Sequence, residues 1–309
     1  MEGLQPPPGL DQHVHNVLGE MRRGRVVPFL GAGVNLGHLP SGSELAAQLS
    51  SAHDLQKVGS NLLRVSQYVE VLVGRPSLED GLHEVFTAEY GPTRVHEFLA
   101  RVPEQLFRGQ GLTPRYQLIV TTNYDDALEQ AFAAAQEPFH LVWYVAEGDG
   151  IERGKFVHRP PDGTPVLVTN PSEYVDVSTS ESTVILKIHG AVDRAGVDSG
   201  ADSYVITEDD YIEYLTGGTE LASFVPIQLV KPLKESSFLF LGYRLGDWNL
   251  RVILNRIWRE QGHRKPVSWA IQREQPDELD EDFWNRKSVK ILGVDLDTYV
   301  DHLARGMAS

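Results

Sequence analysis

The sequence predicts an α/β fold: a parallel sheet with helices on both faces, plus a helical insertion or small subdomain. Three observations predict it. Short apolar runs stop at glycine or polar clusters, and segments of helical period follow them in turn. Residues 57–110 carry helical period alone, with no strand signal between the helices. At 309 residues, 41% hydrophobic and 23% charged, the chain has a globular composition and the length of one large domain or of a large plus a small one.

Residues 11–23 place Val14, Val17, Leu18 and Met21 at helical spacing, and Gly24 stands in the stop position. Residues 25–30 read as a buried strand ending at Gly31. Pro28 inside it donates no ladder hydrogen bond, which leaves one side irregular. Residues 41–51 read as a helix with Ser41 or Ser43 as N-cap. Within 57–110, three apolar series mark three helices: Leu62 to Val73, Leu82 to Tyr90, and Val95 to Val102. Strand character returns at 116–121, followed by a helix over 125–135 and a strand over 139–145. Residues 146–182 are rich in Gly, Pro, Ser and Asp, with only Val166, Leu167 and Val168 strand-like. They read as a long loop, and such loops are usually functional or mobile. Strands follow at 183–188 and 238–241, with helices over 208–215, 220–229 and 247–261. Late strands at 267–271 and 289–292 each precede a helical pattern.

Cysteine is absent, which excludes disulfides, thiol nucleophiles and cysteine-ligated zinc. A net charge of −15 argues against non-specific binding to nucleic acid or an anionic membrane. No stretch reaches the roughly 18 apolar residues that a membrane span requires. The first nine residues lack the basic and apolar regions of a secretory signal, so a cytoplasmic protein is expected. His13, His15, His83 and His96 form no zinc-like group with carboxylates and read as surface residues.

Ligands of an open parallel sheet bind outside the carboxyl ends of its strands. Four clusters fall at such ends: Gly31-Ala32-Gly33, Thr122-Asn123-Tyr124-Asp125, His189-Gly190, and Gly242-Tyr243 with Asp247 and Asn249 beyond. The two glycines of the first permit a sharp turn and the approach of backbone N–H groups to a diphosphate. A plain strand-to-helix turn would use them equally well. Leu36 stands where the dinucleotide fingerprint has its third glycine, which disfavours an ordinary nicotinamide dehydrogenase. Asn123, Asp125 and Asp247 suit a helix cap as well as a ligand contact. His189 is harder to assign to the core, because a buried strand has no need of an imidazole at its end, yet a structural reading stays open.

Taken together, the motifs Phe29-Leu30-Gly31-Ala32-Gly33-Val34-Asn35, Leu39-Pro40-Ser41, Thr121-Thr122-Asn123-Tyr124-Asp125, Lys187-Ile188-His189-Gly190 and the run from Phe240 to Asn249 resemble the sirtuin-like family in order and spacing over about residues 20–295. Glu208-Asp209-Asp210-Tyr211 and Pro171-Ser172-Glu173-Tyr174 resemble its bacterial branch. Sirtuin deacylases carry a four-cysteine zinc ribbon, which a chain without cysteine cannot form. The resemblance is therefore to the zinc-less, NAD-hydrolysing bacterial effectors of anti-phage defence. It implies a Rossmann-like domain over 11–305 with the 57–110 insertion inside it. It also implies an activity, hydrolysis of NAD to nicotinamide and ADP-ribose, with NAD as substrate and no metal. By the same resemblance Asn123 positions the ribose and the attacking water. His189 is the general base, an imidazole whose ordinary pKa near 6.5 suits neutral pH. Asp125 holds the nicotinamide side or supports the Asn123 loop. Ala32, Gly33 and Asn35 cradle phosphate or ribose, and Asp247 and Asn249 reach the adenosine ribose. Gly31, Thr122, Gly242 and Tyr243 complete the cofactor-binding set.

An enzyme that drains NAD must be restrained, so the resemblance further implies activation by assembly. The expected partner is a second copy, in a homo-oligomer, or a separate protein such as a translocase-type ATPase or an Argonaute-like protein. Direct contact with nucleic acid or membrane is not expected. Residues 57–110 and the 146–182 loop are the candidates for oligomer contacts or a gate. The alternative is a sensor or scaffold that holds NAD or ADP-ribose without turnover. A third reading, a deacylase or ADP-ribosyltransferase, is disfavoured for the deacylase by the missing zinc ribbon.

Overall fold

A computed structural model describes residues 7, 9–146, 153–194, 202–216, 221, 225–243, 245, 248–262, 265–274 and 276–308, with backbone alone at 215, 248–250 and 252. Helix α1 (Leu10–Arg22) buries Val14, Val17, Leu18 and Met21, the residues whose spacing predicts it, and leads to strand β1 (Val26–Leu30). A 3-10 turn (Ala32–Asn35) follows, then α2 (Gly42–Ala52), α3 (Leu62–Leu72), α4 (Arg75–Thr87) and α5 (Arg94–Val102). Ser41, not Ser43, caps α2 in a capping box with Glu44. Next come β2 (Leu118–Thr121), α6 (Ala127–Ala134), β3 (Phe139–Tyr144), β4 (Phe156–Arg159), β5 (Val166–Val168) and β6 (Thr183–Lys187). The short β7 (Gly190–Ala191) and β8 (Ser203–Tyr204) form their own ribbon. The chain closes with α7 (Glu208–Thr216), α8 (Ile227–Glu235), β9 (Ser237–Leu241), α9 (Trp248–Gln261), β10 (Ser268–Gln272), α10 (Glu278–Arg286), β11 (Val289–Gly293) and α11 (Leu296–Met307).

Nine strands form one sheet in the order β11-β10-β9-β1-β2-β6-β3-β4-β5. It is parallel from β11 to β3, and β4 and β5 add an antiparallel edge. This is a Rossmann-like α/β arrangement. Side chains alternate between two cores because successive residues of a strand face opposite ways. Val27, Phe29, Val120, Leu186 and Phe240 enter the core on the α8 and α9 side. Val26, Leu30, Ile119, Ile185 and Leu239 enter the core beneath α1, α5, α6 and α11. Both faces are covered, which is why β1, β6 and β9 read as mainly apolar runs. Pro28 has the expected effect: β1 pairs with β9 along its whole length but with β2 only from Phe29 onward.

Residues 57–110 divide between two environments. Helices α2, α3 and α4 build a third core around Leu45, Leu49, Val69, Leu82 and Phe86, whereas α5 packs on the α1 and α11 side of the sheet. The segment 146–182 contains β4, β5 and a 3-10 turn (Pro171–Glu173), so it is not all loop; its residues 147–152 lie outside the described residues. Strand β4 escapes a search for apolar runs because it alternates, Phe156 and His158 buried, Val157 and Arg159 only partly so. The helix expected over 220–229 is displaced. The described helix begins after Pro226 and runs to Glu235, while 220 and 222–224 lie outside the described residues. Two histidines read as surface residues are not: His96 is buried on the inner face of α5, and His13 is half-buried against Tyr299 and Trp269.

Candidate active site

The four strand ends that the sequence singles out lie side by side. Leu30 pairs with Leu241 on β9 and with Thr121 on β2, and Thr121 pairs with Lys187 on β6. One residue past this row stand Gly31, Thr122, Ile188 and Gly242. Two residues past it stand Ala32, Asn123, His189 and Tyr243. The strand order reverses between β1 and β9, the position where open α/β sheets bind ligands.

The glycines let two turns touch. A Cβ at Gly31 would stand 2.8 Å from the Gly242 carbonyl and 2.9 Å from the Tyr243 ring, and one at Gly33 would stand 2.6 Å from the same carbonyl. The N–H groups of Gly31 and Gly33 donate to Leu241 O and Gly242 O, both at 2.9 Å. Those two amides are therefore engaged within the protein, and what the glycines supply here is close approach of the β1 and β9 turns. The Tyr243 ring packs on Phe29, and its hydroxyl lies 2.8 Å from that of Thr122.

The loop after β2 separates the roles that the sequence left open. Asn123 does not cap α6. Its Nδ2 donates to Gly31 O at 3.2 Å and its backbone N–H to Thr121 Oγ1 at 3.0 Å, which leaves its amide oxygen without a partner among the described residues. The capping contact belongs to Asp125, whose Oδ1 accepts from Ala127 N at 3.1 Å. Its other oxygen accepts from Asn35 Nδ2 at 2.6 Å, so Asn35 and Asp125 bind each other across the site. Between them Tyr124 turns away into the third core, against Phe86 and Tyr204, with its hydroxyl donating to Val205 O.

His189 is 4% exposed and sits edge-on between the rings of Tyr211 and Tyr214. Its Nδ1 lies 3.2 Å from the Tyr211 hydroxyl, and its buried Nε2 has no partner among the described residues. Burial lowers its pKa to about 3, so the ring is neutral well below neutral pH. The expectation of an ordinary imidazole near 6.5 is corrected accordingly: the apolar surroundings favour an accepting ring at the cost of basicity. Nε2 accepts only in the tautomer whose Nδ1 hydrogen is donated to Tyr211. Two unspent acceptors, Nε2 of His189 and the amide oxygen of Asn123, thus stand at the same register on neighbouring strands. They suit a ligand that brings hydroxyl or water donors.

Three further residues support this site and were not singled out from sequence. Tyr211 is one. Lys187 and Glu129 are the others, a buried ion pair beneath the Asn123 loop with N–O 2.5 Å. A lysine closing an otherwise apolar strand is a signal that could have marked Lys187, whereas nothing local marks the role of Tyr211 or Glu129. Asp247 lies outside the described residues, and Asn249 is placed by backbone alone as the second residue of α9. Among the described residues no three His, Asp or Glu side chains are grouped to hold a metal, and no helix is long and apolar enough to cross a membrane.

The sequence profile of the SIR2-like domain matches residues 117–292. The chain belongs to the SIR2-like family. The match includes three of the four strand ends and starts after the glycine turn of β1, which the sheet places beside the ends of β2 and β9. Curated relatives include defense-associated sirtuin 2 of Bacillus subtilis, 24% identical over 82% of this chain and 21% of that protein. Two proteins named NAD(+) hydrolase ThsA are also similar. The one from Acinetobacter baumannii is 27% identical over 79% of this chain and 41% of its own length, and that from Cytobacillus dafuensis is 24% identical over 66% and 31%. The SIR2-like chain thus spans less than half the length of each of these relatives.

Proposed function

We propose that this chain hydrolyses the N-glycosidic bond of NAD, releasing nicotinamide and ADP-ribose, and that it serves bacterial defence by depleting NAD. The observation that carries the reading is the pairing of Asn123 and His189 at the β2 and β6 ends, each with an unspent acceptor. The names of the relatives point the same way. In the proposed step the bond from the nicotinamide nitrogen to the ribose C1′ breaks, and its electron pair leaves with neutral nicotinamide, so no strong acid is required. Positive charge develops on the ribose, as in other glycosyl transfers. A water oxygen then bonds to C1′ and gives up a proton. The Asn123 oxygen orients a hydroxyl or that water, and Nε2 of His189 accepts the hydrogen bond and takes the proton as the new bond forms. The two negative charges of the substrate diphosphate favour protonated imidazole and so offset part of the basicity lost to burial.

The test is to incubate purified protein with NAD and separate the products. Wild type is expected to yield nicotinamide and ADP-ribose in equal amounts. His189→Ala and Asn123→Ala should each lower turnover by roughly 100-fold or more with the fold intact. Undiminished turnover in His189→Ala would remove its assigned role. One observation favours the alternative, a site that binds NAD or ADP-ribose without turnover: an imidazole with so low a pKa is a weak base. Bound but intact NAD is the outcome that reading predicts. We also infer that turnover waits on assembly, with copies of this chain or with another protein, because unrestrained loss of NAD would harm its host. Full turnover by a monomer, measured with light scattering beside the assay, would count against that.

A further inference from the structure

Lys187 is 1% exposed, yet its ammonium makes three contacts: Asp125 O at 2.6 Å, Glu129 Oε1 at 2.5 Å and Tyr124 O at 3.3 Å. A buried ion pair is a poor source of stability, because desolvation of both charges offsets their attraction, and apolar residues of similar volume often serve as well or better. Fold stability therefore gives little reason for a lysine at the end of β6. Its contacts give a better one. The ammonium binds the carbonyls of the two residues that follow Asn123, from a strand that carries His189 two positions later. Held this way, the loop directs Asn123 Nδ2 onto Gly31 O and the Asp125 carboxylate onto Asn35.

We propose that Lys187 is a positioning residue of this site: neutralised by Glu129, its ammonium clamps the peptide carbonyls of Tyr124 and Asp125 and so fixes the direction in which Asn123 and Asp125 face. The catalytic consequence rests on the NAD-hydrolysing reading, whereas the effect on the loop does not. Glu129 has a definite part in this. A bare ammonium beneath the loop would oppose the positive charge that develops on the ribose. A paired one lends its hydrogen bonds with no net charge.

The test compares wild type with Lys187→Met and with the double variant Lys187→Met/Glu129→Gln, which leaves no unpaired buried charge and so keeps the fold testable. Thermal midpoint, amide hydrogen exchange across residues 118–130, and the kcat and KM for NAD are measured. The double variant is expected to melt within about 5 °C of wild type. Its amides at 122–127 should exchange about tenfold faster or more, while those of β2 and β6 keep their protection. Its kcat should fall about 30-fold or more with KM within about threefold of wild type. Wild-type exchange in the loop, or a double variant whose kcat recovers to within about threefold, would overturn the proposal. If wild type itself releases no nicotinamide, the functional reading fails, and the exchange rates still decide whether Lys187 holds the loop.

Discussion

His189 and Tyr211 form the contact on which the proposed chemistry turns. With Nδ1 facing the Tyr211 hydroxyl, the ring presents Nε2 as an acceptor only while that hydroxyl accepts the Nδ1 hydrogen. Tyr211→Phe should therefore keep the fold and lower kcat by about 3- to 10-fold, the worth of one hydrogen bond, as steady-state assays would reveal. Burial gives a second expectation. Because His189 is held neutral down to about pH 3, kcat/KM should stay level as pH falls through 6.5 and decline only well below it. An acid limb centred near 6.5 would mean that the ring titrates as an exposed histidine. Asn123, Asp125 and His189 were legible in the sequence because each stands just past an apolar run. Tyr211, Lys187 and Glu129 gain their meaning from contacts that only the sheet register and the docking of α7 and α6 bring about, so local pattern alone could not assign their roles.

Among the elements, the junction of β1 with β9 tolerates little change. Gly242 has φ +73°, and a Cβ there would run into the backbone and side chain of Val34. Gly242→Ala is expected to cost about 2–4 kcal/mol, measured as a lower urea midpoint. A variant as stable as wild type would show that the two turns can part without loss. Most elements were readable from period: α1, α2, the strands buried on both faces, and the late strand–helix units. The failures have physical causes. Strand β4 is antiparallel, and its alternation hides it among polar residues. Helix α8 begins only after Pro226, which stands at its N-cap and disfavours helical backbone in the residue before it, and it continues through Pro232 to Glu235. Helix α5 follows α4 in sequence but buries Val95, Phe98, Leu99 and Val102 on the sheet. No periodicity records which of two cores a helix will choose.

Across the whole molecule, buried imidazoles set the response to acid. Burial lowers the pKa of His13, His96 and His158 to about 4 and that of His189 to about 3. Unfolded, each would titrate near 6.5. Between these values the unfolded chain binds more protons than the folded one, so stability is complete above about pH 6.5 and declines as pH falls toward 4. Each fully buried ring removes about 1.4 kcal/mol per pH unit in that window. Urea unfolding at pH 5 should give a stability at least about 2 kcal/mol below that at pH 7. Equal values at the two pH levels would mean that the rings accept protons within the fold.

Tyr124 belongs to two bodies at once. Its neighbours in the chain, Asn123 and Asp125, are tied to the sheet edge, while its ring is part of the α2–α4 core. Any ligand that favours one setting of this loop therefore also favours one seating of those helices, and by linkage the converse holds with the same free energy. The site and the helical module report on each other through this side chain, beside the Tyr90–Asp126 hydrogen bonds, which makes Tyr124 a place where an event on the outer surface of α2–α4 would be converted into a change in affinity at the strand ends.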